Sequence, residues 1–439
     1  MHYLTRITAV TTLLTAICTP VFADPVPKNI IYLIGDGMGL AHTTAYRYFA
    51  DDPTTKHIET TIFDELLVGT ASTYPDDDTF VTDSAASATA LSTGFKSYNG
   101  AIGVDVDKKP LHSILEIAKQ KGLHTAIVST SQINHATPAS FIAHNESRNN
   151  YDAIADEYIS NKINGKPIVD LMLGGGTQYF IREDRNLIDE FKAFGYQYAD
   201  DLSRLAELKT LPAIGLFAPA GLPHVIDEPV GTFHLDKMAQ QALSLLSQDN
   251  EKGFFMMIEG SQIDWCAHAN DIACAMHELS DFAKTIETVK AFAEKQGDTI
   301  VVITADHSTG GLSVGANSKY LWKSDVVRQV HASAASMSKQ MLESNDVLKV
   351  WNSKIDFALT DEESALLNIA LKKAQETNKP RVLANQISDV INERSMSGWT
   401  THGHTADDVQ VFAYGVGSEK FRGFQDNIAI AHKLIQFIK

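Results

Sequence analysis

Residues 29–36 read Asn29-Ile30-Ile31-Tyr32-Leu33-Ile34-Gly35-Asp36, an apolar run that ends in a glycine and a carboxylate. Apolar and polar residues do not alternate in it, which is typical of a strand buried on both faces of a sheet. Similar runs follow at residues 125–130, 253–259 and 299–306, and strand signals resume at 409–414. These runs predict the central strands of a sheet.

Helical patterns, for example at residues 111–121 and 232–247, separate the strand-like runs. Alternating strands and helices predict an α/β fold, a three-layer sandwich with a mainly parallel central sheet. We predict one such domain over residues 24–439.

Residues 312–398 differ from the rest because their patterns are mostly helical and more polar. Residues 360–363 read Thr-Asp-Glu-Glu, a capping box that opens a predicted helix over 364–373. We interpret residues 312–398 as a helical insertion on the core. It is either a lid or dimer-contact element, or a surface segment without a specific role.

The first 23 residues have the pattern of a secretory signal peptide. Arg6 is positive, residues 7–18 are largely apolar, and residues 21–23 suit cleavage. Threonines dilute the apolar run, so a membrane-spanning helix of about 20 apolar residues is disfavoured. We therefore expect a periplasmic or secreted protein with no membrane span.

The chain is acidic, with 37 Lys and Arg against 54 Asp and Glu and a net charge of -17, or -18 once Arg6 is removed. This charge argues against nucleic acid as a specific partner. Two cysteines remain, Cys266 and Cys274. If one helix carries both, they lie about 12 Å apart along it, too far for a disulfide, so we expect free or buried thiols.

Three acidic residues follow apolar runs: Asp36, Glu259 and Asp306. Sites in open parallel sheets form at the carboxyl ends of the strands. One acid there could cap the next helix. Three acids with histidines nearby fit metal binding better.

Histidines accompany these acids. In a helix, Asp264 and His268 are four residues apart on one face and could hold one cation. Asp306 and His307 leave a strand together, and either His402 or His404 could be a ligand in the loop before the last strand.

The ligand candidates are more numerous than one tetrahedral zinc needs, so a multi-metal site follows if they converge. Mixed nitrogen and oxygen ligands suit zinc, and an all-oxygen subset suits magnesium. The set comprises Asp36, Glu259, Asp264, His268, Asp306, His307 and His404.

Ser84 is the candidate nucleophile. An alanine-rich, helix-forming run follows it, which predicts that Ser84 lies at a helix N-terminus. Amide groups and the helix dipole there favour a phosphate. From this motif alone, an ordinary N-cap serine is the better interpretation.

In its ordered motifs the chain resembles the alkaline phosphatase family. The resemblance runs over residues 29–417. Its motifs lie at residues 34–39, 82–86, 136–139 with Arg148, 173–176, 259–260, 264–268, 304–307 and at His404.

The resemblance implies a two-zinc plus magnesium site, a phosphoserine intermediate on Ser84, and Arg148 as the phosphate clamp. It also selects His404 over His402. The implied ligands are Asp264, His268 and His404 for the first zinc, Asp306, His307 and Asp36 for the second, and Asp36, Thr137 and Glu259 for magnesium.

His135 and Trp265 stand beside the implied ligands, where some family members carry Asp and Lys. Trp265 offers phosphate no cationic contact, which predicts weaker product binding. His135 removes a carboxylate near the implied magnesium site. The identity of the third metal therefore stays open.

The expected function is hydrolysis of small phosphate monoesters, and the family suggests a homodimer. Three alternatives remain: a phosphodiesterase, a sulfatase of the same superfamily, and a non-catalytic phosphate- or metal-binding protein. The residues 84–87, Ser-Ala-Ala-Ser, do not match the sulfatase motif.

Overall fold

The structure is a computed structural model that describes residues 26–248 and 250–438. The predicted signal peptide, residues 1–23, lies outside the described residues. Among the helices of the described part, none is both long and apolar enough to cross a bilayer.

A ten-stranded sheet forms the centre, in the order β16-β2-β15-β10-β1-β9-β3-β6-β8-β7. The strands are β1 (Asn29–Gly35), β2 (Leu67–Ser72), β3 (His124–Gln132), β4 (Lys162–Ile163), β5 (Lys166–Pro167), β6 (Leu171–Gly175), β7 (Gln197–Ala199), β8 (Ala213–Leu216), β9 (Phe254–Gly260), β10 (Thr299–Ala305), β11 (Ser308–Thr309), β12 (Ser313–Val314), β13 (Ser397–Gly398), β14 (His404–Thr405), β15 (Val409–Gly415) and β16 (Gly423–Asp426).

Among the described strands of the central sheet, only β15 runs against the others, pairing antiparallel with both β10 and β2. Every residue of β1, β9 and β10 is buried, as the uninterrupted apolar runs predict. The mainly parallel α/β fold expected from the sequence is confirmed.

Helices cover the sheet, α1, α2, α9 and α11 packing together in one group and α3, α4 and α17 in another. The α-helices are α1 (Leu40–Ala50), α2 (Ile62–Leu66), α3 (Ser84–Thr93), α4 (Ile114–Lys121), α5 (Ala136–Ala139), α6 (Tyr151–Ser160), α7 (Thr177–Phe180), α8 (Leu187–Ala193), α9 (His234–Leu246), α10 (Gln262–His268), α11 (Ile272–Gln296), α12 (Ser324–Arg328), α13 (Ala334–Ser344), α14 (Val347–Lys354), α15 (Asp361–Thr377), α16 (Arg381–Ser395) and α17 (Asn427–Ile438).

Residues 312–398 contain α12 to α16, and strands β12 and β13 pair with each other at its two ends. The predicted capping box at Thr360 is present and opens α15. Asn392 Nδ2 of α16 donates to the carbonyl of Asn270 at 2.8 Å, which ties the segment to the core beside α10. Its treatment as an insertion stays a prediction.

The expectation of free thiols is wrong, because Cys266 and Cys274 form a disulfide with their Cα atoms 5.5 Å apart. The expectation assumed one continuous helix. The chain instead leaves α10 at His268 and starts α11 at Ile272, with Asn270 at a φ of 50° in the turn. This turn brings the two cysteines together.

Candidate active site

The three predicted strand-end acids meet at one edge of the sheet. Strands β9, β1 and β10 are neighbours and run parallel, so their carboxyl ends coincide. Asp36 follows β1, Glu259 is the second-last residue of β9, and Asp306 follows β10. All three side chains are completely buried.

The first cluster surrounds the hydroxyl of Ser84. Ser84 Oγ lies 3.2 Å from His307 Nε2. The same nitrogen is 3.5 Å from Asp36 Oδ1 and 3.2 Å from Asp306 Oδ2. The other oxygen of Asp306 accepts hydrogen bonds from the amides of Gly37 (3.0 Å) and His307 (2.9 Å), which orients the carboxylate.

Helix α3 positions Ser84, but Ser84 does not cap it. Asp83 is the N-cap residue, and its Oδ1 accepts from the amide of Ala86 at 2.9 Å. Ser84 is therefore the first residue of the helix, and its hydroxyl is not used for capping. This corrects the interpretation of Ser84 as an N-cap serine.

The second cluster is formed by Asp264, His268 and His404. Nε2 of His268 lies 3.3 Å from Asp264 Oδ2 and 3.1 Å from His404 Nε2. His404 Nε2 is 3.7 Å from Asp264 Oδ1. The predicted i, i+4 spacing of Asp264 and His268 on α10 is confirmed.

Both clusters are joined through histidines. The His404 ring stacks on that of His307, with centroids 3.6 Å apart. His404 Nδ1 is held by the carbonyl of Thr82 at 2.8 Å. His402 lies outside the cluster, and its carbonyl instead pairs with His268 Nδ1.

A third group comprises Asp36, His135 and Glu259, each offering one ligand atom within 4.8 Å of the others. Glu259 Oε2 accepts from Ser129 Oγ at 2.6 Å. Thr137, predicted as a ligand here, is buried in the short helix α5. His135, predicted only as a neighbour of the ligands, is close enough to contribute a nitrogen.

Arg148 lies at the edge of this group. Its Nη1 donates to Asp83 Oδ2 at 2.9 Å, and its Nη2 is 3.3 Å from His135 Nε2. The predicted neighbour Trp265 stacks edge-on against the His135 ring, with centroids 5.9 Å apart. A guanidinium held at one side by a carboxylate is oriented to bind two oxygens of an anion such as phosphate.

Burial and mutual repulsion govern the charges of the site. Burial, and then the charge of Asp306, raises the pKa of Asp36 well above its ordinary value. Burial, and then Asp264, raises the pKa of Asp306 in the same way. Burial, and then His404, holds the pKa of His307 well below its ordinary value, so its ring is neutral. Crowded carboxylates and neutral imidazoles are what a cation requires.

The buried polar atoms test whether cations fit. Among the described residues, six buried site atoms have no hydrogen-bond partner: Asp36 Oδ1 and Oδ2, His135 Nδ1, Thr137 Oγ1, Glu259 Oε1 and Asp306 Oδ2. Unpaired buried polar atoms are costly and rare. Ligands of a tetrahedral zinc lie about 3.3 Å apart, close to the separations in the second cluster. The residues present fit bound metal ions.

Sequence reasoning missed two supporting side chains. Asp83 falls within the motif at residues 82–86 but received no role, although an Asp directly before a helix signals a cap. Thr309 Oγ1 donates to Asp264 Oδ1 at 2.5 Å and lies 3.2 Å from His307 Nδ1, linking the two clusters. No local pattern marks Thr309, because its partners are distant in sequence.

Comparison with known proteins assigns the family. The family model described as alkaline phosphatase matches residues 27–439. This chain belongs to the alkaline phosphatase family. As an alkaline phosphatase it is an enzyme, and the family supports hydrolysis of phosphate monoesters.

Similar proteins and solved structures are also alkaline phosphatases. Alkaline phosphatase 3 of Bacillus subtilis (strain 168) is 45% identical over 416 residues, covering 94% of this chain and 89% of that protein. The crystal structure of a cold-active alkaline phosphatase from a psychrophilic Shewanella sp. is 46% identical, with a TM-score of 0.88 over 94% of this chain and 100% of that one. The alkaline phosphatase of the Antarctic bacterium TAB5 is 31% identical, with a TM-score of 0.68 over 95% and 99%.

Proposed function

We propose that this alkaline phosphatase hydrolyses small phosphate monoesters through a phosphoserine intermediate on Ser84, at a site for two zinc ions and one magnesium ion. The observation that carries the proposal is the position of Ser84 Oγ, 3.2 Å from His307 Nε2 and beside the Asp36 and Asp306 carboxylates. A hydroxyl without a nearby base or cation is a poor nucleophile.

Two zinc ions would be held by the two clusters that His307 and His404 connect. Asp264, His268 and His404 form the first ligand set, and Asp306, His307 and Asp36 form the second, with Ser84 beside it. When bound, such ions lower the pKa of coordinated oxygens and stabilise charge on attacking and departing oxygens.

The protein's own groups supply the rest of the chemistry. Ser84 starts α3, where free amides and the helix dipole favour an anionic phosphoryl group. Arg148 offers a planar fork for two phosphoryl oxygens. Ser84 Oγ attacks phosphorus, the alcohol departs, and water then cleaves the Ser84–phosphate bond to release phosphate.

The third ion would lie between Asp36, Thr137 and Glu259, with His135 in reach. Variants of the TAB5 enzyme in which a histidine is replaced by Glu or Asp hold Mg in a site called M3. Here the His135 ring has a pKa lowered to about 3 by burial and then by Arg148, so it is neutral. A neutral nitrogen ligand attracts magnesium less than a carboxylate does.

His135→Asp should therefore raise magnesium affinity at least about tenfold, because it adds a negative charge beside Asp36 and Glu259. Magnesium titration of zinc-loaded protein, followed by metal analysis, measures this. His135→Asn is the matched control, since it changes the shape without adding charge. Equal magnesium affinity in both variants would contradict the proposed third site.

Ser84→Ala tests the nucleophile. Turnover of a phosphate monoester should fall by at least about 1,000-fold, while bound zinc stays unchanged because Ser84 is not one of the residues that fix the ligand geometry. Acid quenching should trap covalent phosphate on the wild type only. Wild-type turnover in Ser84→Ala, or zinc loss that explains the inactivity, would overturn the assignment.

We further propose export to the periplasm or medium and assembly as a homodimer. The signal-like residues 1–23 support export, and the family resemblance supports the dimer. Mass measurement of the exported chain and light scattering of the purified protein test these two points.

A further inference from the structure

A pocket of about 430 Å³ lies beside the second cluster. Helix α10 forms one wall, and helices α13 and α16 of the predicted insertion form the other. The lining includes Trp265, His268, Ala334, Pro380, Ala384 and Ser388. Its volume is that of an ordinary small-molecule site.

The pocket lies on the side of the site away from the nucleophile. Ser84 Oγ contacts His307, whose ring stacks on His404, and His404 Nε2 is 3.1 Å from His268 Nε2. His268 therefore stands at the far end of this row. Its side chain is 37% exposed, and it lines the pocket.

In phosphoryl transfer the attacking and departing oxygens lie roughly in line, on opposite sides of phosphorus. With Ser84 as the attacking group, the departing oxygen leaves toward His268. The carbon skeleton attached to that oxygen then extends to the mouth of the pocket.

The lining is largely apolar and is suited to a flat, uncharged group. The Trp265 indole, the Cys266–Cys274 disulfide and several alanines supply apolar surface. Two charged residues complete the lining: the exposed Arg381 and the buried Asp271, whose carboxylate already accepts from the amides of Cys274 (3.1 Å) and Ala334 (2.7 Å).

A second observation also points to a ligand. The Ser388 side chain is 2% exposed, and its Oγ has no hydrogen-bond partner in the described part of the chain. Unpaired buried hydroxyls are rare because they lose water without compensation. A polar atom on the edge of a bound group would satisfy it.

We propose that this pocket binds the alcohol moiety of the substrate, and that it selects phosphate monoesters of aromatic alcohols. The inference rests on the proposed phosphomonoesterase function. Trp265 and Ala384 would determine specificity from opposite walls, without taking part in bond cleavage.

The test compares 2-phenylethyl phosphate with ethyl phosphate, two esters of primary alcohols with similar reactivity. The wild type should show a kcat/KM about tenfold higher for the aromatic ester, since burial of a phenyl ring favours its binding. Ala384→Trp should fill the pocket and bring the two values close together. Ala384→Leu fills less of the pocket and should give an intermediate ratio of the two kcat/KM values. It keeps the test decisive if Ala384→Trp does not fold.

Glu393→Trp is the matched control. It lies on α16 nine residues from Ala384, on the opposite and exposed face of the helix, so the tenfold ratio should persist. Calorimetric titration with 2-phenylethanol should also show binding to the wild type and its loss in Ala384→Trp.

The two proposals fail differently. If metal-loaded wild type hydrolyses neither ester, the proposed function is wrong. If it hydrolyses both equally well, or if filling the pocket leaves the ratio and alcohol binding unchanged, only the aromatic subsite is overturned.

Discussion

Asp83 connects the nucleophile and the phosphate clamp. One carboxylate oxygen caps α3, of which Ser84 is the first residue, and the other accepts from Arg148 Nη1 at 2.9 Å. Asp83 therefore fixes the Arg148 guanidinium relative to the same helix end that carries the attacking Ser84 hydroxyl. A single side chain sets the geometry between two groups that act on one phosphoryl group.

Asp83→Asn should raise the KM for phosphate monoesters and the inhibition constant of inorganic phosphate by about tenfold, because a charge-assisted bond to Arg148 is lost. Stability should change little, since Asn also caps helices. Asp346→Asn is the control, because Asp346 caps α14 in the same way and has no arginine partner among the described residues. Unaltered phosphate inhibition in Asp83→Asn would show that Arg148 is positioned independently.

At this scale, the sequence identified the acids and histidines because strand ends and i, i+4 spacing are local signals. It could not place Thr309 against Asp264, since that contact depends on tertiary packing. It also mispredicted Cys266 and Cys274, because the positive-φ turn at Asn270 is not visible in a helical pattern.

Helix α10 is the element on which the second cluster depends. It carries Asp264 and His268, and the disulfide fixes its C-terminal end to the start of α11. The carbonyl and the Nδ1 atom of His268 also contact His402 in the loop before β14. The helix is thus anchored from two directions.

Replacing both cysteines by serine should lower the free energy of unfolding by roughly 2–3 kcal/mol, because a short closed loop no longer restricts the unfolded chain. Zinc should also dissociate faster from the less restrained helix. Urea unfolding and timed metal loss to a chelator measure the two effects. A reductant should produce the same loss of stability and faster zinc loss in the wild type, and it should leave the double variant unchanged. Equal stability of the two proteins without reductant would contradict the prediction.

His144 links α4 to the loop at Gly103. Its Nδ1 lies 2.8 Å from the carbonyl of Gly103 and its Nε2 lies 3.2 Å from Glu116 Oε1. Both partners are acceptors, so the ring is fully satisfied only when protonated. Burial lowers the pKa of His144, but the hydrogen bond and charge of Glu116 outweigh it and raise the pKa above 6.5.

A raised folded-state pKa stabilises the protein at low pH. The contribution is complete below the unfolded-state value of 6.5 and is lost as pH rises through the folded-state value. The stability difference between wild type and His144→Gln should therefore be about 1 kcal/mol larger at pH 6 than at pH 9. Denaturant unfolding at both pH values measures it, and a gap independent of pH would rule out the charged pair.

Most of the fold at the level of elements could be predicted. Strands β1, β9 and β10 are long uninterrupted apolar runs, which few other structures produce. The short strands β11 to β14 could not be predicted, because two-residue pairings depend on where neighbouring loops meet.

At the scale of the whole molecule, the core surrounds a buried group of acids. Asp36, Glu259 and Asp306 are completely buried at adjacent strand ends, and burial raises the pKa of each. Such a centre opposes folding unless cations balance it.

Chelation should therefore lower the unfolding midpoint of the whole domain by more than about 5 °C, since ions that bind only the folded state stabilise it. Scanning calorimetry with and without chelator measures the shift. Restoring zinc and magnesium should restore the midpoint, and calcium alone should not. An unshifted midpoint would mean that the acids are accommodated without metal.

The pairing of β12 with β13 has a consequence for how this enzyme can diversify. The chain departs at Val314 and returns at Ser397, side by side, and the segment between them also contacts the core, for example through Asn392 and Arg328. A segment of different length, joined at the same β12–β13 pair, would leave the two chain ends at the same separation. Under the proposed aromatic subsite, the wall that α13 and α16 contribute could change with this segment, whereas the Ser84 hydroxyl and the proposed ligands would stay at the edge of the central sheet.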